Sequence, residues 1–247
     1  MFHVKQFLKL AEFCKNNNIA YDAEKDRQFN IFCDLLEEKN RVMNLTGVTD
    51  HDEAEIIHFI DSVEAAAVIN ELYGKDTNIK VLDIGTGAGF PGIPLKIVMP
   101  HAEFVLADAL NKRINFINEV ISAANLENIT AIQGRAEEIG QSGMRESFDI
   151  CVSRAVADTS VLLEYVLPTV KKGGLCILYK SGDYRKELET AAYALDVLGG
   201  TLEDVKEFCL PESDIGRSLV IIRKINDTPL KYPRRPGKPS KSPLIMK

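Results

Sequence analysis

Gly85, Gly87 and Gly89 follow directly on an apolar run in the segment VLDIGTGAGFPG (81–92). Without Cβ atoms, glycines at alternate positions let the backbone turn sharply and let a ligand lie close against it. The stretch GAGFPG (87–92) also satisfies G-x-G-x-x-G, with Asp108 about twenty residues on, as a nicotinamide site would. Three details favour methyl transfer instead. Asp83 offers an acid beside the glycines, where a charged amino-acid moiety would lie. Pro91 removes a backbone donor where a dinucleotide pyrophosphate would seek N–H groups. A terminal antiparallel hairpin, described below, is untypical of dinucleotide domains.

Other candidates sit at the ends of later apolar runs. Asp108 closes EFVLADA (103–109), and a carboxylate there can accept both ribose hydroxyls of an adenosine. GRAEEIG (134–140) would border the adenine, with backbone groups at Ala136 and Glu137 able to read the ring edge; Glu137 serves equally well as a helix-start acid. Arg154, in SRAVAD (153–158), adjoins an apolar strand and needs an anionic or aromatic partner. No Asn/Asp-Pro-Pro-aromatic segment is present to hold an exocyclic amine, and no Pro-Cys for covalent attack on a pyrimidine. His3, His51, His58 and His101 are dispersed, so no metal site is expected. His58 and Asp61 are one helical turn apart, where structural pairing is favoured over a substrate role. The five cysteines are scattered without a CxxC pair, and Cys151 and Cys176 lie inside apolar runs as buried, inert thiols.

These residues need a scaffold, and from residue 79 the chain alternates strand and helix patterns. Strands are expected at 79–85, 103–109, 128–134, 148–154 and 175–180, with helices at about 92–99, 112–125, 158–170 and 184–198. VKKGGL (170–175) reads as a tight turn ahead of the fifth strand. Such alternation predicts an α/β fold, a doubly wound, mostly parallel sheet covered on both faces. TLEDVKEFCL (201–210) and SLVIIRKI (218–225) add the terminal antiparallel hairpin. Residues 1–72 read as a helical extension with helices at roughly 4–17, 24–40 and 53–72, and Asp50 with Glu53 has capping-box spacing. Residues 73–228 form the ligand-binding domain and 229–247 a basic, proline-rich tail.

Net charge over the 247 residues is −6, which alone argues against nucleic acid. Its distribution argues the other way. Residues 231–247 carry six basic residues and no acid, and the rest holds 24 basic against 36 acidic residues. Prolines at 233, 236, 239 and 243 are expected to keep 232–243 extended and non-helical, with Arg234, Arg235, Lys238 and Lys241 along a strip that can follow an RNA backbone. No run approaches the roughly 18 apolar residues of a membrane span, and the N-terminus lacks a signal peptide's apolar core. A scattered, odd cysteine count suits a reducing cytoplasm.

RVMNLTGVTD (41–50), HFIDS (58–62), DIGTGAGFPGIP (83–94), SRAVA (153–157) and YPRRPGKPSKSPL (232–244) together resemble the RsmG (GidB) family of small-subunit ribosomal RNA methyltransferases, over about residues 28–244. The resemblance implies a class I, Rossmann-like fold and transfer of a methyl group from S-adenosyl-L-methionine to N7 of a guanine in 16S ribosomal RNA. It further implies cofactor contacts at Gly85, Phe90, Asp108, Ala136, Glu137 and Arg154. No catalytic base stands out, and Arg154 is the one candidate for a direct role. The rivals are a methyltransferase for a small molecule or protein, separable by an assay on RNA, and a nicotinamide-binding module, separable by titration with NADH and S-adenosylmethionine.

Overall fold

Asp22, Asp50 and Asp183 cap the starts of three helices, and Asn44, Gly74 and Gly199 end three at positive φ. A computed structural model describes residues 6–48 and 50–246. His3, the first residues of the expected 4–17 helix, Thr49 of the NLTGVTD loop and Lys247 lie outside the described residues. Helix α1 (Leu8–Asn16) is followed by α2 (Ala23–Met43), whose first turn is held by Asp22 accepting from Lys25 N at 2.9 Å and whose end is Asn44 at φ 50°. Asp50 likewise accepts from Glu53 N at 2.9 Å and opens α3 (His51–Ala54). That helix continues through a π-helical turn, Glu55–Ile60, into α4 (Asp61–Tyr73).

The alternating part follows as β1 (Lys80–Ile84), α5 (Gly92–Val98), β2 (Glu103–Asp108), α6 (Asn111–Ala123), β3 (Ile129–Gln133), α7 (Ala136–Ile139) and β4 (Phe148–Arg154). Then come α8 (Thr159–Val166) with a 3-10 turn at Leu167–Thr169, β5 (Val170–Lys180), α9 (Tyr184–Leu198), the hairpin β6 (Gly200–Cys209) and β7 (Gly216–Lys224), and α10 (Lys238–Lys241). The seven strands form one sheet in the order β3-β2-β1-β4-β5-β7-β6, parallel except for β7. The doubly wound, mostly parallel expectation is met, and β7 inserts between β5 and β6.

Alternate side chains of the strands feed two apolar layers. Val81, Phe104, Leu106, Val152 and Ile177 face the layer holding α1 to α6, and Leu82, Val105, Cys151, Leu178 and Val220 face the layer under α8 and α9. Phe29, Phe32 and Phe59 of the N-terminal helices are fully buried in the first layer, where Phe32 reaches Phe90 with ring centroids 4.9 Å apart. Each such ring contributes roughly 1.5–3 kcal/mol on burial. Cys151 and Cys176 are adjacent in the β4–β5 register and fully buried, and burial pushes the Cys176 thiol up to about 12.

Two local expectations fail. The strand expected at 175–180 starts at Val170, and VKKGG belongs to it: a register shift between Phe148 and Ile150 lets β5 keep pairing with β4. Gly174 is required there, since a Cβ would lie 2.5 Å from Asp149 O. The tail is not an extended arm. Arg145 donates to the carbonyls of Tyr232 (2.7 Å) and Thr228 (2.5 Å), and Gln141 Nε2 donates to Pro233 O (2.8 Å). Lys238–Lys241 makes a helical turn despite Pro239, because proline is tolerated in a first turn, where its missing N–H has no intrahelical partner.

The tail is anchored by one charged pair. Glu164 of α8 is fully buried and accepts from Arg234 Nη2 at 2.6 Å, Nε at 2.8 Å and the Arg234 backbone N at 2.8 Å. Truncating the arginine would leave that carboxylate buried without its counter-charge. Arg234→Ala is therefore expected to cost about 3 kcal/mol in urea denaturation, the low end for a broken buried pair, because the arginine side chain keeps 21% exposure. Trypsin should also cut faster after Lys231 and Lys241, which are followed by Tyr232 and Ser242 rather than by proline. Unchanged stability and unchanged cleavage would show that the pair does not hold the tail.

Candidate active site

The chain leaves β1 toward one side of the sheet and β4 toward the other, which opens a crevice beyond their carboxyl ends. The glycine segment lines it. Gly85 N and Thr86 N both donate to Ala107 O, at 2.9 and 3.1 Å, folding the loop back toward β2. Gly85, Gly87 and Gly89 have φ of 74°, 61° and 97°, which favours glycine at each. A Cβ on Gly87 would meet nothing nearer than Gly85 O at 4.0 Å, so a ligand can rest on this backbone.

A cleft of about 360 Å³ lies here, between Gly85, Asp108 and Ala136 on one side and Tyr165, Gly237 and Ser240 on the other. Asp108 is 4% exposed: its Oδ1 accepts from Leu110 N at 2.9 Å, and its Oδ2 from Gly87 N at 3.1 Å and Arg113 Nη1 at 3.0 Å. A carboxylate offers about four acceptor positions, so capacity for a hydroxyl remains. The open backbone at Gly87 and this carboxylate fit an adenosyl group. The tail supplies the opposite wall, with Tyr165 Oη 2.9 Å from Ser240 Oγ.

Two acids and one ring near the glycine loop have partners within the protein. Glu137 is buried and its Oε1 accepts from Gly237 N at 2.8 Å, so its carboxylate holds the tail rather than a free helix start. Asp83 does not reach the cleft: it is fully buried and accepts from Gly92 N at 2.9 Å, and burial pushes its carboxyl up to about 7. Phe90 lies beneath the loop at 6% exposure, between His58 (centroids 4.8 Å) and the Arg154 guanidinium (5.0 Å). Gly85, Asp108, Ala136 and Glu137 thus come together, and Phe90 and Arg154 lie apart from them.

Arg154 lines a second cleft of about 560 Å³, with His58, Asp61, Tyr179 and Arg217 among its walls. Ala155 and Val156 line both clefts and form the ridge between them. Ala155 has φ 55°, an uncommon conformation for a residue with a Cβ, and a Cβ on Gly85 would lie 2.4 Å from Val156 Cγ2. The expected His58–Asp61 pairing is replaced by other partners: His58 Nε2 is 2.6 Å from Thr46 Oγ1, and Asp61 Oδ2 accepts from Arg154 Nη1 at 2.9 Å. The π-helical turn between α3 and α4 carries His58, and Asp61 begins the helix after it. Arg217 had no signal in the sequence beyond its place at the hairpin, and Tyr165 and Gly237 had none that marked a pocket wall.

Burial, reinforced by the Arg154 charge, lowers the His58 pKa to about 4. Below its ordinary value near 6.5 the unfolded chain takes up a proton that the folded one refuses, so this contribution to stability is lost as pH falls from about 6.5 to 4. The loss amounts to about 3 kcal/mol. Urea denaturation of wild type and His58→Asn across that range should show the wild type falling more steeply, and parallel curves would mean that the ring is not held neutral.

The GidB family, described as rRNA small subunit methyltransferase G, matches residues 25–215. The chain is 53% identical over 221 residues to Ribosomal RNA small subunit methyltransferase G of Lachnoclostridium phytofermentans, covering 89% of this chain and 90% of that protein. It is 47% identical over 236 residues to that of Acetivibrio thermocellus, covering 95% of each. Among solved structures, a point mutant of MtNAS in complex with S-adenosylmethionine superposes with TM-score 0.55 at 16% identity, over 88% of this chain and 89% of that one. TrmN from Thermus thermophilus gives 0.51 at 18% identity, over 66% and 49%. These two likenesses concern the fold, which is the one these enzymes share. The sequence matches reach further, and on them the chain belongs to the rRNA small subunit methyltransferase G (GidB) family.

Proposed function

We propose that this chain transfers a methyl group from S-adenosyl-L-methionine to N7 of a guanine in 16S ribosomal RNA of the small ribosomal subunit. The observation that carries the reading is the pair of clefts meeting at the Ala155–Val156 ridge, one suited to an adenosyl group and the other open beside it. When bound, S-adenosylmethionine supplies a sulfonium methyl. The protein's part is to hold its partners in line. Asp108 accepts from the ribose, the Gly85–Gly89 loop gives the ligand a backbone to lie against, and the 154–157 segment separates donor from acceptor.

Guanine N7 carries an in-plane lone pair, so it needs no deprotonation. The lone pair forms the new C–N bond as the C–S bond breaks, the electron pair of that bond stays with sulfur, and positive charge passes to the purine. Positioning of this kind is able to supply roughly 7–11 kcal/mol. The exposed Arg235, Lys238 and Lys241 flank, in sequence, the Gly237 and Ser240 that line the cofactor cleft, and they suit RNA phosphates. Arg234, committed to Glu164, is withdrawn from that set. Among the described residues no group of three or more His, Cys, Asp or Glu is arranged to hold a metal, and no helix is long and apolar enough to cross a membrane.

Three measurements bear on this reading. Asp108→Ala should weaken S-adenosylmethionine binding about ten- to hundredfold by calorimetry, from the loss of charge-assisted hydrogen bonds; unchanged affinity would remove the ribose from Asp108. Single-turnover methylation at saturating cofactor should be nearly flat from about pH 6 to 9, since N7 already has its lone pair. Titration of Asp83, buried under the loop, would then register in cofactor affinity and not in the chemical step. A steep profile with one essential carboxylate would point to an amino or hydroxyl acceptor. Replacing Arg235, Lys238 and Lys241 with Gln should leave cofactor affinity intact and lower the slope of log K against log salt for the RNA substrate by roughly 2, at about 0.7 per contact. A wild-type slope would show that these cations do not meet RNA.

A further inference from the structure

We infer that the second cleft receives the acceptor guanine and that the Asp61 carboxylate takes its Watson–Crick edge. The inference rests on the guanine-N7 reading above and assigns the residue that would distinguish guanine from adenine. Asp61 is 3% exposed, lines the cleft and yet keeps acceptor capacity. Its Oδ2 accepts from Arg154 Nη1 at 2.9 Å, while its Oδ1 is buried without a hydrogen bond and has Arg217 Nε 3.5 Å away. A buried carboxylate oxygen without a donor is costly to maintain, and a ligand N–H removes the cost.

Apart from the exposed Asp158 and Ser181, the other polar groups of the cleft are already committed. Tyr179 Oη donates to Ser62 O at 2.6 Å, and Lys180 Nζ donates to Glu187 Oε2 at 2.6 Å and to Ala157 O at 3.1 Å. His58 is bonded to Thr46 and stacked on Phe90. The buried acceptor that stands open is therefore Asp61, flanked by Arg154, which it already holds, and by Arg217.

Guanine is the base that matches. Its N1–H and N2–H donors stand side by side and meet a carboxylate, with O6 next to them for a cation such as Arg217. Adenine presents the N1 lone pair at the same place and would be repelled. N7 lies on the other edge of the ring, so a base held by Asp61 can turn N7 toward the ridge and the cofactor cleft. As N7 gains positive charge, N1–H and N2–H become more acidic and their bonds to the carboxylate strengthen. An interaction that is stronger in the transition state than in the ground state raises kcat rather than lowering KM alone.

The test changes the base as well as the protein. Small subunits reconstituted with RNA carrying guanosine or inosine at the methylated position differ only by the N2 amine, and inosine keeps N7 and N1–H. Wild-type enzyme should methylate the inosine substrate about tenfold or more slowly in a single turnover, the loss expected of one hydrogen bond to a charged group. Asp61→Asn should be slower on guanosine and treat the two substrates alike within about twofold, with S-adenosylhomocysteine affinity retained. Two results would overturn the inference: a wild type that does not distinguish inosine from guanosine, which requires no variant to fold, or an Asp61→Asn enzyme that keeps the wild-type preference. Failure of the wild type on guanosine RNA would instead overturn the reading on which the inference rests, and so is told apart from both.

Discussion

Parallel strands that part in opposite directions leave a crevice at their carboxyl ends, and the rest of this molecule is arranged around the one between β1 and β4. No side chain needs to be invented to make it: it follows from the connectivity. What the sequence supplies is a loop able to pass across the crevice without filling it, and glycines at positive φ do that. Asp83, buried beneath, fixes the loop's far end through Gly92 N. The burial of that carboxylate is a structural device, and it is Asp108, at the end of the next strand, that lines the cleft.

Charge segregation along the chain has two consequences in three dimensions. Part of the tail's positive charge is turned inward, Arg234 against the buried Glu164. The acids of the body are thereby used to seat the tail, including Glu137 through Gly237 N. The remaining cations are carried on a segment whose other face is a wall of the cofactor cleft. A basic arm flexibly tethered to the body would move independently of the cleft. A docked one ties its cations and the cleft wall to the same few hydrogen bonds.

The second cleft is built around a buried ion pair that is not fully satisfied. Arg154 is held between the Phe90 ring and Asp61, and Asp61 retains an oxygen without a hydrogen bond. A fully satisfied network would be more stable and inert. The strained Ala155 next to it and the π-helical turn in the opposing helix are local costs accepted at the same spot.

The residue pattern by itself determined the sheet class, most strand and helix positions, the glycine loop and Asp108, because these depend on local periodicity, on φ and on a strand's end. It also carried the family motifs, including Arg154. Tertiary structure alone decided which of them share a cavity. Phe90 is near Gly89 in sequence yet faces the N-terminal helices, since the loop turns its ring toward Phe32 and His58. Arg154 adjoins the cofactor cleft but opens into its neighbour, where α4 brings Asp61 from 93 residues away. Glu164, set among mostly apolar neighbours along α8, gave no sign of a partner 70 residues on. Pairings of that kind are fixed by how layers stack and chains return, which sequence spacing does not encode.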